Sequence, residues 1–407
     1  LVCRAIRSQV EAKMSKPLLR LLGSFALVFS LTASALASER FYDADVGELL
    51  GEPGSIIRIE PMRGAPMGAS AFRVLYRSKD RNGDTIAVSG VIVVPRGNAP
   101  RGGRPVVAWA HGTTGIARKC APSLRPTVYQ TMHGLRDLLA LGYIVTATDY
   151  PGLGTIGPHP YLIGVSEGRA VLDSVRAARN FKNASAGERF ALWGHSQGGH
   201  AVLFAGELAP SYAPELRLVG IAAAAPATEL GPLMKMDLPS ITGKILGAYA
   251  LKAWSEVFSL SLANIVLERS NLVFDRLSDF CNETYGQDFS MLLAEQPLER
   301  EGFLAVDILA VEPWARLMQE NTPKRETRGL PVFIAQGSAD TIVHPSVTAN
   351  FIRDLCRSGT PVSFVGIPGG DHDASAIRGA RHAARWIAAR FRGREGRNNC
   401  GSPLTFQ

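Results

Sequence analysis

The chain has 407 residues, 46% of them hydrophobic and 20% charged, with a formal net charge of +8. Its length and apolar content supply a large core and exceed one minimal domain, so one core with an inserted subdomain is the economical reading. Half of the charge excess sits in residues 1–37, where Arg4, Arg7, Lys13, Lys16 and Arg20 outnumber Glu11, and no basic stripe with interleaved aromatics follows, which argues against a nucleic-acid partner.

Residues 14–37 read as a secretory leader. Met14 marks the start, Lys16 and Arg20 the positive region, residues 21–31 the apolar stretch, and Ala35-Leu36-Ala37 an A-x-A cleavage site. The apolar run is short for a membrane span and no stop-transfer charges follow it. The mature chain is therefore read as secreted or periplasmic, without a transmembrane segment, and residues 1–13 as upstream sequence outside the fold.

Residues 38–70 are Gly/Pro-rich and read as an irregular wrapping arm. Residues 73–76 and 85–94 are β-branched runs on either side of Asn82-Gly83, a hairpin signal. Strands are expected at 106–110, 143–148, 190–193, 218–224, 331–336 and 362–367, and helices at 135–141, 168–180, 199–208, 347–357 and 374–392. Such alternation predicts a mostly parallel sheet with helices on both faces. Residues 228–326 break it. They hold almost no strand signal, and 241–268 reads as one long apolar helix with Ile245, Leu246, Tyr249, Trp254, Val257 and Phe258 crowding one side. An all-α insertion between two strands of such a sheet reads as a cap over the site, since ligands bind beyond the carboxyl ends of parallel strands. The expected divisions are 1–37, a first core part at 38–227, the helical cap at 228–326 and a second core part at 327–407.

The chemistry centres on Gly194-His195-Ser196-Gln197-Gly198, a G-x-S-x-G pattern with an apolar strand before it and helix formers after it. A serine on so tight a turn presents its hydroxyl at the sheet's edge while the helix N-terminus aims free N–H groups at the attacked atom. A hydroxyl is a poor nucleophile at neutral pH and needs a base, itself oriented by a third group. His372 follows the last strand in the loop Gly369-Gly370-Asp371-His372-Asp373, whereas His344 and His382 read as surface or packing histidines. Asp340 ends the loop after the preceding strand and is the acid; Asp371 and Asp373 are too close in sequence to reach the far nitrogen and read as turn and capping residues. The oxyanion donors are assigned to the Gln197 N–H and to the loop His111-Gly112-Thr113-Thr114-Gly115, with Thr113 ahead of Thr114; His111 and His195 read as structural hydrogen-bonding residues. Cys120, Cys281, Cys356 and Cys400 suggest two disulfides in an exported chain, with three connectivities open. Without a C-x-x-C or a His/Cys cluster, no metal is assigned, and no cofactor is expected.

The elbow at Ser196 resembles that of α/β-hydrolases, and the chain resembles the secretory lipase family of the fungal lipase-A type and its bacterial relatives. The resemblance rests on Cys120-Ala121-Pro122-Ser123, Glu167-Gly168-Arg169-Ala170, Ser211-Tyr212-Ala213-Pro214-Glu215-Leu216, Ala339-Asp340 with Ile342-Val343, and Cys400-Gly401-Ser402-Pro403. It implies the triad Ser196, Asp340 and His372, a helical lid, and the pairs Cys120–Cys281 and Cys356–Cys400. It departs at the oxyanion loop, where Thr113-Thr114 stand in place of an acidic side chain. The function expected is an exported serine carboxylester hydrolase, foremost a triacylglycerol lipase touching lipid interfaces transiently. The alternatives are a non-lipase carboxylesterase or acyltransferase with the same triad, a related peptidase, and a binding protein on an inactive hydrolase scaffold.

Overall fold

The computed structural model describes residues 40–270, 276, 278–282, 303–324, 327 and 329–406; the leader expected at 14–37 and part of the 228–326 insertion lie outside them. The chain divides into the units Leu1–Ala44 and Asp45–Gln407. Of the first, only 40–44 is described, and residues 40–42 are helical.

The second unit is built on a nine-stranded sheet, ordered β1-β2-β3-β5-β4-β6-β7-β8-β9. The strands are β1 (Ile56–Met62), β2 (Ala69–Lys79), β3 (Thr85–Pro95), β4 (Arg104–Ala110), β5 (Ile144–Thr148), β6 (Ala186–His195), β7 (Arg217–Ala224), β8 (Val332–Gly337) and β9 (Val362–Ile367). β1, β2 and β3 form an antiparallel meander that joins β5, and from β5 to β9 every pairing is parallel. The parallel strands read as continuous apolar runs because both faces are covered: every residue of β5 and of β8 is buried.

Eight helices serve the description: α1 (Leu135–Ala140), α2 (Gly164–Asn180), α3 (Gln197–Tyr212), α4 (Leu230–Asp237), α5 (Ile241–Val257), α6 (Trp314–Glu320), α7 (Pro345–Arg357) and α8 (His372–Phe391). On one face of the sheet, Val171 and Val175 of α2, Val202 of α3 and Phe351 and Leu355 of α7 share a core with Val106, Leu192 and Ile334. On the other, Leu135 and Leu138 of α1 and Ala380 and Ile387 of α8 pack with Val107, Trp193 and Phe333. A third apolar cluster gathers α4, α5 and α6 beyond the strand ends, around Leu233, Tyr249, Trp254, Phe303, Trp314 and Leu317.

Two expectations are corrected. The irregular arm contains β1, an edge strand whose Ile59 and Glu60 face Val74 and Arg73 of β2. Arg73 donates from Nη1 to Glu60 Oε1 at 2.9 Å, and Pro61 sits where an edge strand tolerates it. The long helix of the insertion stops at Val257, eleven residues early. Ser259 takes a positive φ of 54° and the Leu260 N–H returns to the Ser255 carbonyl (2.8 Å), the bond that closes a Schellman end. Apolar periodicity runs on past this point and hides the stop.

Candidate active site

Chain order places β5 on one side of β4 and β6 on the other, so a crevice opens between the carboxyl ends of β4 and β6. Ser196 stands there, between the last residue of β6 and the first of α3, with φ 57° and ψ −118°. That left-handed backbone is strained for a side chain, and two glycines make it attainable. A Cβ on Gly194 would lie 2.1 Å from the Gly198 carbonyl oxygen, and one on Gly198 would lie 1.9 Å from that of Ala110. The close Gly198–Ala110 approach also brings the loop after β4 against the elbow.

Asp340 follows β8 and His372 opens α8 after β9, so both stand at the next strand ends beyond β7. His372 Nδ1 lies 2.9 Å from Asp340 Oδ2, and both side chains are buried. Asp340 Oδ1 accepts the N–H groups of Ile342 and Val343, each at 2.9 Å. Oδ2 also accepts from Gln336 Nε2 at 3.0 Å, while Gln336 Oε1 accepts from Thr348 at 2.7 Å. A carboxylate bound on both oxygens cannot swing, and its contact with Nδ1 favours one imidazole tautomer of His372. Gln336 escaped the sequence reading, although a glutamine inside a buried apolar strand was the available signal.

His195 packs its ring 4.7 Å from that of His372 and donates from Nε2 to the His372 carbonyl at 3.1 Å, which ties that residue's backbone to the elbow. Burial first, and then the neighbouring His372 and His133, hold His195 well below the ordinary histidine range. It stays neutral beside His372. His111 is likewise buried among carbonyls, and burial lowers its pKa to about 4. Asp371 caps α8, accepting the Ala374 N–H at 2.9 Å, and His382 is exposed on the same helix. His344 lies 3.0 Å from Asp237 Oδ1, across from α4.

Gln197 is the first residue of α3 and is buried. Thr113 is buried with its Oγ1 2.9 Å from the Tyr161 hydroxyl, and Thr114 accepts the Asn282 N–H on its carbonyl at 2.9 Å. The Cys120–Cys281 disulfide, with Cα atoms 5.1 Å apart, fastens the segment before Asn282 beside this loop. Cys356–Cys400 ties α7 to the C-terminal segment at 5.4 Å. An apolar pocket opens onto Ser196 and Gln197, walled by Leu233, Met234, Leu246, Ala250 and Trp254 of the insertion and by Ile342 near Asp340. Asp237 is a carboxylate in this apolar wall.

A family model described as secretory lipase matches residues 125–399, about two thirds of the chain. The chain belongs to the secretory lipase family. It is a hydrolase of the lipase and esterase kind. Among curated secretory-lipase relatives it is 26% identical to lipase A of Moesziomyces aphidis, over 83% of this chain and 75% of that protein. It is 24% identical to a probable inactive lipase of Mycobacterium tuberculosis, over 88% of this chain and 83% of that one. The fold matches the crystal structure of Candida antarctica lipase A with a TM-score of 0.75 at 21% identity, covering 89% of this chain and 88% of that one. A rice cell wall degrading esterase from Xanthomonas oryzae matches with 0.67 at 19% identity, covering 84% and 98%. The family's α/β-hydrolase fold is therefore the fold of this chain.

Proposed function

We propose that the chain is an exported serine carboxylester hydrolase, specifically a triacylglycerol lipase, acting through an acyl-enzyme on Ser196. Ser196 Oγ attacks the ester carbonyl while His372 Nε2 takes its proton. Asp340 holds Nδ1 protonated and stabilises the imidazolium that forms. The developing oxyanion is met by the Gln197 N–H and by the Thr113 N–H, each worth roughly 2.7–4 kcal/mol. His372 passes its proton to the departing alcohol. Water activated by the same imidazole then releases the fatty acid. Residues 228–326 act as the cap, and their apolar wall takes the acyl chain. The leader at 14–37, the two disulfides and the family itself support export.

The observation that carries this reading is the strained Ser196 at the mouth of an apolar pocket, with a hydrogen-bonded His372–Asp340 pair on the following strand ends. Ser196→Ala is expected to lower kcat on p-nitrophenyl butyrate by at least about 10⁵-fold; hydrolysis near the parental rate overturns the mechanism. Emulsified tributyrin and triolein, assayed beside soluble p-nitrophenyl acetate, decide the substrate class. Turnover of the acetate ester alone rejects a lipase and leaves the short-chain esterase.

A further inference from the structure

A second carboxylate–histidine pair lies behind the nucleophile and takes no part in the triad. Glu167, on the first turn of α2, is 0% exposed. Its Oε1 accepts the Gln197 side-chain Nε2 at 2.7 Å and the Leu162 N–H at 3.0 Å. Its Oε2 lies 3.2 Å from His200 Nδ1, and His200 donates from Nε2 to the Asn321 carbonyl at 2.8 Å. Gln197 Nε2 also lies 3.1 Å from His159 Nε2, whose Nδ1 donates to the Pro151 carbonyl at 2.9 Å. Both hydrogens of the Gln197 amide are thus committed, one to a carboxylate and one to a bare imidazole nitrogen, and the buried amide oxygen has no hydrogen-bond partner among the described residues. An amide accepting that cost is being held in place rather than merely packed.

The residue so held sits directly after Ser196. Two contacts at its side-chain nitrogen anchor the residue whose backbone N–H follows the nucleophile. The far end of the chain of bonds is Asn321, which ends α6 at the base of the insertion and whose Oδ1 accepts the N–H of Gly164, the start of α2. One buried carboxylate therefore connects the elbow, the helix α2 and the insertion.

We infer that Glu167 is the positioning residue of the oxyanion site: through Gln197 it sets the N–H that meets the oxyanion, and through His200 it couples that N–H to the insertion. The inference rests on the proposed ester-hydrolase reading. A buried anchor bonded at both of its carboxyl oxygens restrains a donor that must be aimed before charge develops, and a displacement of about 1 Å costs on the order of 10²-fold in rate.

The test compares Glu167→Ala and Glu167→Gln with the parent, on p-nitrophenyl butyrate and with an alkyl trifluoromethyl ketone, whose enzyme adduct carries an oxyanion. Glu167→Ala is expected to lower kcat by about 10- to 100-fold while KM stays within about threefold, and to raise the ketone Ki by a similar factor. Glu167→Gln keeps an acceptor for Gln197 and Leu162, and is expected to recover activity to within about fivefold of the parent. A merely structural Glu167 would lower the melting temperature and leave kcat and the ketone Ki of the folded fraction unchanged; that result overturns the inference, as does equal impairment of both variants. Should Glu167→Ala not fold, His200→Ala reads the other arm by the same Ki, and an unchanged Ki overturns it too. A parent inactive on every ester instead defeats the hydrolase reading, independently of Glu167.

Discussion

On the proposed mechanism, the side chains around Ser196 divide into those that react and those that keep them aimed. Gln336, His195, Glu167 and His159 are all buried, and each directs a polar atom at Asp340, His372 or Gln197. Asp237 differs. It belongs to the pocket wall, and burial, opposed by His344, pushes its carboxyl up to about 6. The folded protein therefore binds more protons at this residue than the unfolded chain does between about pH 4 and pH 6. Ionising Asp237 works against the fold, so stability at this position is lost as pH rises through that window. Asp237→Asn is expected to match the parent in melting temperature near pH 4 and to exceed it above about pH 6. Melting curves at half-unit steps decide, and a difference that does not grow with pH removes Asp237 as its source. Gln336, His159 and Asp237 went unseen in the sequence, and Glu167 was noted only within a motif, because their roles lie in what they touch: Glu167 is 30 positions from Gln197 and His200 is 121 from Asn321.

Among the elements, α4 and α5 line the pocket beside Ser196. Both present apolar faces to the cluster beyond the strand ends, and Gly247 of α5 lines the pocket. A Cβ there would already stand 3.3 Å from Met234 Sδ and 3.4 Å from Phe303 Cζ, so the missing side chain is part of the available space. Gly247→Phe is expected to lower kcat/KM for p-nitrophenyl palmitate by at least about tenfold relative to the butyrate ester, the cost of forcing a bulky group into a packed wall. An unchanged ratio places the acyl chain elsewhere. The strands and helices of the core were legible from hydrophobic period alone: β9 falls at 362–367 as read, and α7 and α8 start only two residues early. The two misses share one cause, since both the pairing of β1 and the Schellman end of α5 are decided by backbone hydrogen bonds that hydrophobicity does not register.

At the scale of the molecule, residues far apart in the chain are brought to one crevice by the order of the strands, and two disulfides bear on its frame. Cys356–Cys400 closes a loop of 44 residues, for which chain entropy gives roughly 4 kcal/mol of stabilisation. Replacing both with alanine is expected to lower the denaturant-unfolding free energy by about that amount and leave kcat near the parental value, because neither cysteine adjoins the crevice. A loss below about 1 kcal/mol would show that the reduced chain keeps the loop ordered. The sequence by itself determined the sheet-and-helix alternation, the tight turn at Ser196 and the places of Asp340 and His372 after their strands, because these are local: periods of two and 3.6, a glycine-flanked serine, and polar residues just past apolar strands. Only the tertiary structure decided which strands adjoin, which threonine faces Tyr161 and which buried carboxylate grips Gln197. Those contacts join segments that no local spacing relates, and they exist only once the sheet has been ordered and its two faces covered.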